Sequence, residues 1–101
     1  MSAMETRLHL PESEPPATIK EVLKELRAQK LKPVHEAKNW GDWINFPGHE
    51  TVISIESVRG LTRHATVEPS PDDPESLEIS IISAFRKLGW YASDEDGEYQ
   101  L

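Results

Sequence analysis

The chain has 101 residues, no cysteine, 18 acids against 11 lysines and arginines, and a formal net charge of −7. That length suits one domain able to bury roughly 60–65% of its extended-chain surface. The missing cysteines exclude a disulfide framework, a thiolate nucleophile and a cysteine-based zinc or iron–sulfur site.

Apolar and charged fractions of 37% and 29% are those of a polar but foldable protein. No apolar run approaches the ~20 residues of a membrane span. The first twenty residues hold Glu5, Arg7, Glu12 and Glu14 and no apolar stretch, so neither a membrane association nor a secretory signal is expected, and a cytoplasmic location is. The charge is uneven. Between Ala17 and Lys38 six basic residues face three acids; Glu68 to Glu78 carries five acids without a base, and Asp94 to Glu98 carries four more. Net acidity works against sequence-independent contact with nucleic acid or anionic lipid, both of which depend on countercharge.

Residues 1–16 contain three prolines, several acids and few large apolar groups. Leu8 and Leu10 alternate with Arg7 and His9, as a short edge strand would, but the segment reads as a flexible N-terminal arm preceding a single α+β domain over 17–101. A helix is predicted from Thr18, where Thr18-Ile19-Lys20-Glu21 fits a capping box. Ile19, Val22, Leu23 and Leu26 form its apolar stripe, and Pro33 bars continuation beyond about Leu31. Lys20, Lys24 and Arg27 make a basic ridge beside that stripe, read as a solvated flank rather than an anion contact.

Residues 33–46 are the least regular. Val34-His35-Glu36-Ala37 has strand character, and Trp40, Trp43 and Phe46 put three aromatics into a short span closed by Pro47-Gly48. So dense a group serves either as a binding platform or as the seal of a small core, and the core is the favoured reading. Thr51 to Val67 is predicted to be a hairpin. Thr51, Ile53 and Ile55 occupy one face of its first strand, and Leu61, Ala65 and Val67 one face of its second, with the reversal at Arg59-Gly60. Arg63 falls on the apolar face and breaks the pattern, which would place it at the sheet margin.

Pro71 to Trp90 carries both ends of a second helix: Asp73 as N-cap, Pro74 in the first position, Arg86 and Lys87 in the last turn, and Gly89 for a left-handed C-terminal residue. Leu77, Ile81, Ala84, Phe85 and Leu88 span an arc of about 100°. Ile82 lies about 60° beyond its edge and Ile79 further round. Trp90 to Leu101 then reads as a terminal hairpin turning at Asp96-Gly97. The fold expected is an antiparallel sheet of about four to six strands with two amphipathic helices, about 18–31 and 73–88, on one face, in the order α-β-β-β-(β)-α-β-β.

The helix–strands–helix order is similar to that of double-stranded RNA-binding domains. That similarity implies a cationic start to the second helix, where phosphates dock. Here the position is Asp72-Asp73-Pro74-Glu75, and carboxylates occupy the place a phosphate needs, so no nucleic-acid partner is expected. Ser, His and Asp occur in no nucleophile context, and no glycine-rich phosphate loop is present. His35-Glu36 and His49-Glu50 are adjacent pairs whose side chains would point to opposite faces of a strand, poor geometry for a shared metal. The reading is therefore a small acidic non-enzymatic protein-interaction module without catalytic, cofactor or metal residues. Its partner would be another protein or a second copy of itself, met through Ile79, Ile82, Arg86, Trp40 and Trp43. The competing reading is a small-ligand-binding domain or minor enzyme using a cleft of Trp40, Trp43 and His64. A third is an acidic mimic of nucleic acid, which requires the nine acids of the two late clusters to lie in one row.

Overall fold

In the computed structural model, which describes residues 5–94 and 97–101, runs of alternating apolar and polar residues become strands. These are β1 (Thr6–His9), β2 (Ala17–Thr18), β3 (Val34–Lys38), β4 (Gly41–Asn45), β5 (Val52–Val58), β6 (Leu61–Glu68), β7 (Tyr91–Asp94) and β8 (Gly97–Gln100). The two runs of helical period become α1 (Ile19–Ala28) and α2 (Glu75–Lys87). Every strand pair is antiparallel, in one sheet ordered β3-β4-β5-β6-β1-β7-β8, with β2 paired to the start of β6. The result is a compact α+β domain whose radius of gyration, 12.7 Å, is close to the ~13 Å of a folded chain this long.

The eight strands exceed the four to six expected, and two of them precede α1. The supposed N-terminal arm supplies β1, which lies inside the sheet between β6 and β7. The reason is visible in its own alternation: Leu8 faces Ala65 and Ala92 and is 2% exposed, Leu10 is buried beside it, and both backbone edges of the strand are paired. Burial of two leucines and two rows of hydrogen bonds outweigh the freedom of a chain end. Residues 33–46 form two strands, β3 and β4, with Ile44 and Phe46 in the core.

The hairpin of β5 and β6 departs from simple alternation. Glu56 faces His64 but Ser57 faces Thr62, so Arg63 is an extra residue opposite the Glu56–Ser57 step. This bulge explains why Arg63 breaks the apolar pattern, and it corrects the expected facing of the residues before it. Thr62 is buried and Leu61 is turned out, the reverse of what unbroken alternation from Ala65 demands. Arg59 and Gly60 both take positive φ (55° and 77°), the type I′ geometry that matches the twist of a two-residue hairpin.

Both helices end the same way. In α1 the Thr18–Glu21 capping box forms as expected. The helix stops at Ala28, before Leu31, because Lys30 adopts a left-handed φ of 66° and Leu31 N–H folds back to donate to Leu26 C=O. In α2, Gly89 (φ 85°) plays the part of Lys30, and Trp90 N–H donates to Phe85 C=O. At its start α2 differs from expectation: Pro74, not Asp73, is the N-cap residue and makes no side-chain cap. The Asp73 carboxylate is committed elsewhere. It accepts from Thr51 Oγ1 (2.6 Å), Thr51 N (2.7 Å) and Glu50 N (3.0 Å), with His49 Nδ1 at 3.2 Å, and so ties the loop before β5 to the start of α2. The Thr51 hydroxyl, more than any other contact, holds this carboxyl below the usual aspartate value.

Val22, Leu23 and Leu26 of α1 and Leu77, Ile81, Ala84 and Phe85 of α2 share one core with Leu8, Ile44, Ile53, Ile55, Ala65, Val67 and Ala92 of the sheet. Trp90 meets Phe85 edge-on at 4.9 Å between ring centroids and is also buried there. None of the described helices is long and apolar enough to cross a membrane. Residues 95–96, and with them the turn expected at Asp96-Gly97, lie outside the described residues.

Candidate functional site: the open face of the sheet

Side chains of a strand alternate in direction, so the pairing that buries Ile44, Ile53, Ile55 and Val67 turns a second set to the other side. One row runs Glu36, Trp43, Ser54, Thr66, Arg7, Ser93, Glu98 across seven strands. The next runs Lys38, Gly41, Glu56, His64, His9, Tyr91, Gln100. Helix α2 contributes nothing to these rows, and they form the open face.

A depression of about 840 Å³ lies on this face. Trp40 and Trp43 wall one side, their rings 6.5 Å apart and nearly perpendicular at 84°, and Trp40 is 51% exposed. Four carboxylate residues (Glu5, Glu56, Glu68 and Glu98) line it against one guanidinium, Arg7. His9 and His64 are direct cross-strand neighbours on its floor, and His9 Nε2 lies 3.2 Å from Glu98 Oε1. The site thus offers aromatic faces and an excess of negative charge, a combination that suits cations.

Gly41 is what allows the second tryptophan to sit where it does. Its φ is 156°, and a Cβ there would come within 2.0 Å of Ile55 O. Only glycine lets β4 start this close to β5, between Trp40 and Trp43 in sequence.

Trp40, Trp43 and His64 line one depression. The five residues proposed as a single interaction surface are divided between two places. Ile79, Ile82 and Arg86 belong to α2 and do not line the depression: Ile79 is 62% exposed, Ile82 is half-buried against the core, and Arg86 is exposed. Glu5, Arg7 and His9 are contributors that reading residues 1–16 as an arm concealed, although the Leu8–Leu10 alternation carried the signal.

Two further polar clusters were not legible in sequence. The buried Asp42 carboxylate accepts from Ser57 Oγ through Oδ2 and pairs with His35 Nε2 through Oδ1, joining β3, β4 and β5. The serine and the imidazole thus meet the same carboxylate rather than each other, so His35 is not placed to take the Ser57 proton. The second cluster is the Asp73 clamp already described. His35, His49 and His9 each meet a different carboxylate, Asp42, Asp73 and Glu98. Among the described residues no three of His, Asp and Glu converge as metal ligands would. Nor do the acids of the late clusters that are described form one row: Asp73 is turned into the 49–51 loop, Glu75 and Glu78 flank the start of α2, and Glu68 and Glu98 are on the open face.

No protein-family model, curated protein or solved structure matches this chain.

Proposed function

We propose that this chain is a small acidic, non-enzymatic binding module that recognises a cationic segment of another protein on the open face of its sheet. The observation that carries this reading is the meeting of Trp40 and Trp43 with Glu5, Glu56, Glu68 and Glu98 around one depression. A lysine or arginine of the partner would lie against an indole face while carboxylates neutralise its charge, a pairing worth about 0.5–2 kcal/mol per cation–π contact depending on desolvation. The chain's charge of −7 adds long-range attraction that raises the association rate. A cytoplasmic setting belongs to the same proposal.

Titrating an oligoarginine peptide while following tryptophan fluorescence tests it. The expected result is a saturable change whose midpoint moves to higher peptide concentration with salt, and which Trp40→Ala diminishes. A flat response to the peptide would reject the reading. The small-ligand alternative rests on the same depression, which also holds His64. Saturable quenching by a sugar or nucleotide, with none by the peptide, would establish that alternative instead.

A further inference from the structure

Three of the large apolar side chains that stand exposed lie together at one end of the open face. Val58 (75% exposed) and Leu61 (45%) flank the β5–β6 turn as cross-strand partners, and Trp40 stands beside them. With Pro16 they line a second depression of about 790 Å³. It adjoins the acidic one, because Trp40, Glu56 and His64 line both.

The arrangement depends on the bulge at Arg63. In a regular ladder Leu61 would share the inward face of Ala65 and Val67; the extra residue turns it outward beside Val58 and sends Thr62 inward. Thr62 is then held by its hydroxyl, which donates to Glu56 C=O at 2.6 Å. A leucine has been exchanged for a threonine in the interior, the opposite of what burial alone favours. Bulges commonly re-aim side chains in this way where a strand meets something else.

We propose that this largely apolar cleft takes the hydrophobic residues of the same protein segment whose cationic residues occupy the acidic depression, so that the module reads a bipartite sequence, basic at one end and apolar at the other. The inference rests on the function proposed above and adds the apolar half of the recognition. Charge decides the occupant. Trp40 is a common wall: the depression on one side is lined by Glu5, Glu56, Glu68 and Glu98, and the cleft on the other by Val58 and Leu61 with Arg59 and Arg63. A segment covering both sets its basic residues against the carboxylates and its uncharged apolar residues against Val58 and Leu61.

The test compares two peptides of equal length and charge, one with arginines only between glycines and serines, the other with arginines followed by leucine and phenylalanine. Against wild-type protein the second should bind about tenfold more tightly or better, as expected for burying one or two apolar side chains. The double variant Val58→Asp/Leu61→Asp should bring both peptides to the same, weaker affinity. Val58→Thr/Leu61→Thr, which keeps β-propensity at the hairpin tip, should do the same without added charge, and circular dichroism checks that each variant folds. Equal affinity of the two peptides for wild type overturns the bipartite inference while leaving the acidic reading standing; no binding of either overturns both. A gain that survives in both double variants places the apolar contact elsewhere and also overturns it. So does a wild-type dimer in light scattering that Val58→Asp/Leu61→Asp makes monomeric, since the cleft would then be occupied by a second copy.

Discussion

The two faces of this sheet are made by the same strands in the same register, yet they differ in almost every physical respect. On the inner face Ile44, Ile53, Ile55, Ala65, Val67 and Leu8 are packed beneath the helices, and the polar residues buried with them, Asp42, Thr51 and Thr62, are each held by hydrogen bonds. On the open face tryptophans stand among carboxylates, histidines and one arginine. The inner face is a solution to burial. The open face is under no such constraint, and its composition is where selection for binding can act. Under the proposed function, stability and recognition are divided between opposite sides of one sheet.

That division predicts opposite responses to substitution. The largest effect should come from Ile53→Ala: a fully buried side chain is truncated in the middle of the sheet, and denaturant titration should show a loss of about 3 kcal/mol. Gly41→Ala should follow at about 2 kcal/mol, since the new methyl meets Ile55 O, and it should disturb the tryptophan pair as well. It is the one substitution expected to damage both faces.

The Asp73 clamp should appear as a pH effect. Its carboxyl is depressed in the folded state, so the stabilisation is present above the ordinary aspartate range and is lost as pH falls through the lower folded value. Urea midpoints of wild type should therefore fall on acidification, and Asp73→Asn should start lower at neutral pH and lose part of that slope. Smallest of all should be Glu56→Gln/Glu68→Gln. On the open face this pair should change stability by no more than about 0.5 kcal/mol, while weakening the cationic peptide several-fold. A large stability loss there would break the distinction between the faces.

The inner face was largely legible in sequence because burial imposes a period. The stripes of α1 and α2, the Thr18–Glu21 box, the Gly89 terminus and the alternation of Ile53 and Ile55 each follow from residues a few positions apart. The open face was not, because its neighbours are brought together by pairing. Arg7 meets Thr66 and Ser93, and His9 meets His64, across separations that no local pattern encodes. Asp73 shows a different limit. An aspartate before proline reads as a helix cap, but the Thr51 hydroxyl and two backbone N–H groups make a better set of donors than the helix start offers. Arg63 shows a third, since one inserted residue exchanges the facing of Leu61 and Thr62. Trp40 and Trp43 were identified in sequence, but Arg7 and His9, which line the same depression, belong to β1, a strand concealed in an expected arm.

The central claim is that the open face, not α2, receives the partner. Chemical-shift mapping of the ¹⁵N-labelled protein with the arginine–leucine–phenylalanine peptide tests this most directly. The expected shifts are at the Trp40 and Trp43 indoles and at the backbone of Arg7, Ser54, His64 and Thr66, extending to Val58 and Leu61. Shifts confined to α2 around the exposed Ile79, with the tryptophan indoles unmoved, would contradict it.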